Sequence, residues 1–147
     1  MKTAVKSVRA AREHDAQQLA ELCTQLGYES TPDQVRNRLR IIEQDSSRAI
    51  FVIELDGGKI AGFIDLDVRC LAIKDVAAEV CGLVISHDSR GLGLGRVLLQ
   101  KAEEWAAAKG ATEVSVRSNV IRLEAHEFYR RCGYEVIKQQ IAFRKRL

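Results

Sequence analysis

Hydrophobic positions change their period along the chain, and the changes mark alternating strands and helices. Val5 to Ala11 alternates as a strand does. Asp15-Ala16-Gln17-Gln18 then reads as a helix cap with Gln at the third position, followed by Leu19, Leu22 and Leu26 at helical spacing and a stop at Gly27. Thr31-Pro32-Asp33-Gln34 is a stronger helix start: a capping Thr, Pro at the first helical position, and Gln to close the box. Val35, Leu39 and Ile42 mark the buried face of that helix, and Arg36, Arg38 and Arg40 read as its solvated side. Ala49 to Leu55 and Lys59 to Leu71 flank Asp56-Gly57-Gly58, a strong hairpin signal. In the second of these strands Ile60, Gly62, Ile64, Leu66 and Val68 share one face, and Phe63, Asp65, Asp67 and Arg69 the other. A strand over Ala78 to Ser86 leads through a glycine-rich stretch into a helix ending near Lys109, with Leu94, Leu98, Ala102 and Trp105 on its core side. Thr112 to Arg117 reads as a strand, Arg122 to Cys132 as a helix stopped by Gly133, and Tyr134 to Lys145 as a last strand. The predicted order is βααβββαβαβ, an α/β chain with a mixed sheet flanked by helices.

Composition narrows this picture. At 147 residues, with 46% hydrophobic and 29% charged residues, the chain fits one globular domain spanning 1–147, and disorder is excluded. No apolar run is long enough for a membrane span, and the start lacks the apolar core of a secretory signal, so a cytoplasmic location without membrane partners is expected. A net charge of +3 is too weak to argue for nucleic acid. Cys23, Cys70, Cys81 and Cys132 form no metal-ligand spacing with one another or with His, and read as small buried hydrophobes. No metal site is expected.

His87-Asp88-Ser89-Arg90-Gly91-Leu92-Gly93-Leu94-Gly95-Arg96 joins a strand to a helix. Alternate glycines let a backbone approach a ligand, and the free amides of a helix start favour an anion. A P-loop would need Lys-Ser/Thr after Gly95, and a dinucleotide-binding turn would need glycine where Arg96 stands. Arg90-x-x-Gly93-x-Gly95 instead resembles the acyl-CoA-binding signature of the GNAT N-acetyltransferase superfamily. Ala125-His126-Glu127-Phe128-Tyr129-Arg130-Arg131-Cys132-Gly133-Tyr134 is similar to the family's final helix, and Val8-Arg9-Ala10-Ala11 with Asp15 to its first strand and helix start. The resemblance covers nearly the whole chain. Two positions depart from it: His87 stands where the family often has Pro, and Arg122 where it often has Asn.

The resemblance implies a GNAT-like fold whose sheet splays between the fourth and fifth strands, with acetyl-CoA as the acyl donor. Main-chain groups of Leu83, Val84 and Ile85 would pair with pantetheine, and one amide would polarise the thioester carbonyl. Gly91, Leu92, Gly93, Leu94, Gly95 and Arg96, with Arg90, would hold the diphosphate. Asn119 either contacts the cofactor from a shifted position or caps the last helix. Glu79 matches the place of a catalytic base, with Asp65 and Asp67 as fallbacks, and Tyr129 matches the usual acid toward the CoA sulfur. Tyr28, Phe63, Asp65, Asp67 and Glu79 would form the acceptor cleft and favour a small cationic amine. The alternatives left open are a protein Nα- or lysine acetyltransferase and a silent acyl-CoA sensor. A homodimer built on the apolar last strand is also compatible with the sequence.

Overall fold

A computed structural model describes residues 4–147. The chain divides into two compact units, Met1–Val116 and Arg117–Leu147. The first carries β1 (Val5–Ala10), α1 (Ala16–Leu26), α2 (Pro32–Glu43), β2 (Arg48–Leu55), β3 (Ile60–Leu71), β4 (Lys74–Ile85), α3 (Leu94–Ala108) and β5 (Val114–Val116). The second carries α4 (Leu123–Arg131). The five strands lie in the order β1-β2-β3-β4-β5, antiparallel except for the parallel pair β4–β5.

Local chemistry explains most boundaries. Gly57 and Gly58 turn the β2–β3 hairpin with φ of 91° and 88°, a region that costs glycine little. The box at α2 closes both ways: Thr31 Oγ1 accepts from the Gln34 amide at 3.2 Å, and the Thr31 amide donates to Gln34 Oε1 at 3.0 Å. The expected cap at Asp15 is different. Its side chain makes no capping bond to α1. It lies instead in a short 3-10 turn (Glu13–Asp15), accepts from the Arg12 amide at 2.8 Å, and pairs with Arg9 of β1 through both oxygens, at 2.8 and 2.9 Å. Gln18 ties α1 to the hairpin, donating to the Gly58 carbonyl and accepting from the Ile60 amide.

Each face of the sheet buries one alternate set of residues. Val52, Phe63 and Val84 pack under Leu19 and Leu22 of α1 and Val35 and Leu39 of α2. The other face meets α3, where Val68 and Ala78 touch Ala106, with Trp105 only partly buried beside them. Two expectations fail. Residues 135–147 form neither strand nor helix. The alternation there suits a pleat, but a strand also needs a neighbour for its backbone groups, and among the described residues no ladder engages this segment. Nor are the cysteines a buried set: Cys70 and Cys81 are exposed, and Cys23 and Cys132 are half-buried, because Cys70 closes the β3–β4 hairpin and Cys81 sits at a break in the β4 ladder.

Candidate active site

The site starts from an irregularity in β4. Asp65 pairs with Gly82 and Leu66 with Val80, so Cys81 is an extra residue bulged out of the ladder. The bulge shifts the alternation by one. Beyond it, Glu79 comes opposite Asp67, on the same face as Phe63, Asp65 and Val84. The bulge also lies near the point where β4 loses its other neighbour. Among the described residues β5 pairs only with Ala78, Glu79 and Val80. Ladder bonds in an antiparallel pair come from alternate residues, and the Ser86 amide bonds the Ala61 carbonyl at 2.7 Å. The backbone groups of Leu83 and Ile85 therefore point away from β3, toward the edge that β5 leaves open.

That edge runs into the glycine turn. Gly91 and Gly93 have φ of 77° and 78°, and Gly93 stands at the start of α3 with no side-chain cap. The first amides of α3 are thus unclaimed by the helix, and the helix dipole adds positive charge there. Arg90 Nε donates to the Ile85 carbonyl at 3.1 Å, tying the turn to the strand end. Asp88 accepts from Ser86 Oγ at 2.7 Å and from Lys59 at 2.6 Å, and these bonds pull its carboxyl down to about 2. The His87 amide donates to Gln25 Oε1 at 3.0 Å, a bond that the family's usual proline could not make.

On the acceptor side, a cavity of about 130 Å³ lies between α1, α2 and strands β2 and β3. Leu19, Leu39, Ile50 and Phe63 wall it, and Cys23, Arg38 and Asp65 add polar groups. Asp65 is half-buried and accepts from Arg48 at 2.7 Å. Burial still pushes its carboxyl above the usual range, and the guanidinium of Arg48 opposes this shift. Arg69 bridges Asp67 at 3.5 Å and Glu79 at 3.3 Å. Asp65, Asp67 and Glu79 thus share one face; alternation along β3 had placed the two aspartates together, and the bulge at Cys81 adds Glu79. Phe63 is buried against the cavity, whereas Tyr28 is 72% exposed and does not line it. Sequence reasoning missed Arg38, Arg48 and Cys81. Counting outward from the Gly57-Gly58 turn would have set Arg48 opposite Leu66; an irregularity between Ile53 and Glu54 shifts the register by one and brings Arg48 opposite Asp67.

The second unit holds the remaining candidates. Tyr129 on α4 meets Phe128 edge-on at 5.2 Å and Tyr134 at 6.0 Å. Burial raises its phenol, which therefore stays protonated. Asn119 Oδ1 accepts from the Ile121 amide at 3.1 Å, in the turn before α4 rather than at its cap. The neighbouring Ser118 hydroxyl is buried without a hydrogen-bond partner, an unmet group of the sort a ligand satisfies.

The family model for "Acetyltransferase (GNAT) family" matches residues 13–134. Aminoglycoside N(6')-acetyltransferase type 1 of Stenotrophomonas maltophilia is 26% identical over 142 residues, which cover 94% of this chain and 92% of that protein. Aminoalkylphosphonate N-acetyltransferase of Salmonella typhimurium is 34% identical over 84 residues, 56% of this chain and 54% of that one. Among solved structures, the aminoglycoside N-acetyltransferase AAC(6')-Iy in complex with CoA superposes with a TM-score of 0.87 at 20% identity, covering 100% of this chain and 98% of that one. The chain belongs to the GNAT family of acetyltransferases, enzymes whose acyl donor is acetyl-CoA.

Proposed function

We propose that the chain transfers the acetyl group of acetyl-CoA to a primary amine, cationic until it is deprotonated, on a small molecule, by direct attack in a ternary complex. One observation carries this reading. The β4 edge at Leu83 and Ile85 lies beyond the residues that β5 pairs with, and a short turn leads from it to Gly91, Gly93 and the start of α3, so main-chain donors of both segments support a site for pantetheine and diphosphate. The unpartnered Ser118 hydroxyl beside Asn119 also fits a bound ligand. Bound acetyl-CoA supplies a thioester carbonyl as electrophile. An amide on the β4 edge stabilises charge developing on that oxygen. The amides of Gly91 to Arg96, with Arg90, hold the diphosphate. Glu79 accepts the acceptor's proton, directly or through water, with Asp65 and Asp67 as its alternatives. By the family pattern, Tyr129 protonates the leaving sulfur, and its raised phenol is in the protonated form that this role needs. Asn119 is assigned to the cofactor on the same pattern. The small cavity supports a small-molecule acceptor over a protein one.

Thermal unfolding with acetyl-CoA, CoA and ATP tests the donor site. A ligand at about 100 times its Kd stabilises by roughly 2.7 kcal/mol, a shift of about 5–11 °C for a domain of this size. Acetyl-CoA and CoA should give that shift and ATP should not. No shift at millimolar acetyl-CoA would overturn the reading.

We also propose self-association through the tail. Ile137, Ile141 and Phe143 are 70%, 80% and 92% exposed, three apolar side chains within a short stretch of chain that support contact with a second copy. Sedimentation should show a dimer that Ile141→Glu with Phe143→Glu returns to monomer. A wild-type chain monomeric at tens of micromolar would reject this.

A further inference from the structure

Resting on the acetyltransfer reading, we propose that the acceptor carries an acid group beside its amine and an apolar group between isobutyl and benzyl in size, as a free apolar α-amino acid does. The three arginines of α2 differ in their partners. Arg36 pairs with Asp33 at 2.5 Å, and Arg40 with Glu13 at 2.9 Å. Arg38 lines the cavity and bonds only the neutral Ser30 hydroxyl, at 2.9 Å; among the described residues no carboxylate pairs with it. A guanidinium at the rim of a small apolar cavity is a ready fork for a carboxylate or phosphonate.

The same cavity presents Asp65, on the strand next to the open β4 edge, to a cationic amine. Ion pairs limit how much positive charge this face attracts. Asp65, Asp67 and Glu79 are set against Arg48 and Arg69, and Arg38 brings the two signs level. A balanced face selects an amphoteric ligand, not a polycation. Size and polarity agree. A dry cavity of about 150 Å³ takes a benzene-sized group, and this one is of similar volume, about 130 Å³, with walls of Leu19, Leu39, Ile50 and Phe63. Burying the polar frame of a polyamine or amino sugar there would leave groups without partners, whereas a leucine or phenylalanine side chain leaves none.

The test compares acetylation of L-leucine, L-phenylalanine and the phosphonate analogue of leucine with L-leucinamide, spermidine and an aminoglycoside. The acid-bearing amines should show kcat/KM at least tenfold above leucinamide. Arg38→Gln should collapse that ratio toward one by raising KM for leucine, while keeping its stabilisation by acetyl-CoA. Arg36→Gln, outside the cavity, should leave the ratio unchanged. Equal or better turnover of leucinamide, a preference for spermidine or the aminoglycoside, or no acetylation of any acid-bearing amine would each overturn the proposal. If a polycation is acetylated and acetyl-CoA stabilises the protein, only the acceptor assignment falls. If acetyl-CoA fails to stabilise the protein, both readings fall.

Discussion

Replacing Glu79 with Gln should lower kcat/KM at neutral pH by about 10²- to 10⁴-fold, the usual range for loss of a general base. The acceptor explains why. A primary amine with a pKa near 10.4 is only about 0.1% neutral at pH 7.4, a deficit worth roughly 4 kcal/mol. A carboxylate that collects this proton during the reaction removes much of that deficit. Glu79 is 18% exposed at its side chain, faces Asp67 across the ladder, and keeps Arg69 at 3.3 Å. Without it, only the pre-formed neutral amine reacts. The variant's rate should then rise tenfold per pH unit toward the amine pKa, and its deficit against wild type should shrink at high pH. Tyr129→Phe should cost less, about one to two decades, because a thiolate with a pKa near 8.5 already leaves tolerably well. A Glu79→Gln loss below threefold, or one that does not change with pH, would pass the proton to Asp65 or to water.

Glu79 also shows where the sequence was legible and where it was not. Elements with local causes could be read: the Thr31–Gln34 box, the Gly57-Gly58 hairpin, the stop at Gly27, and the turn before α3. The facing of Glu79 has a non-local cause. Strict alternation would give Glu79 the same face as Leu83 and Ile85, opposite Val84. Only the bulge at Cys81 brings it round to Asp65 and Asp67. A bulge adds one residue to one strand and leaves no period in the sequence. Arg38 was obscured differently. Its spacing matches that of Arg36 and Arg40, and only the fold shows that those two have carboxylate partners while Arg38 lines a cavity. The tail misled in the opposite direction. Val136, Ile137, Ile141 and Phe143 have strand character, but strand pairing is a property of two segments, and one segment cannot declare it.

The other large effect belongs to folding. Arg9→Ala should destabilise the chain by about 3–5 kcal/mol at neutral pH, lowering the melting temperature by about 6–20 °C. Asp15 is 2% exposed, and removing Arg9 leaves its buried carboxylate with the Arg12 amide at 2.8 Å and the exposed His14 ring at 3.5 Å. Asp15→Asn should cost less, because Arg9 at 15% exposure keeps Glu54 at 3.5 Å. The unequal costs separate an ion pair that joins β1 to α1 from a surface contact, where either deletion is worth under about 1 kcal/mol. The pH dependence has a fixed sign. Burial pushes the Asp15 carboxyl up, but the Arg9 hydrogen bonds and the Arg12 amide outweigh it and hold it below the usual range. A lowered native value stabilises the fold above the ordinary aspartate pKa of about 3.9, and this stabilisation is lost as pH falls through the native value. The gap between wild type and Arg9→Ala in urea unfolding should therefore be widest near pH 7 and narrow below about pH 4. A gap of under 1 kcal/mol at pH 7, or one that does not change with pH, would mean that the pair does not hold the start of α1 on the sheet.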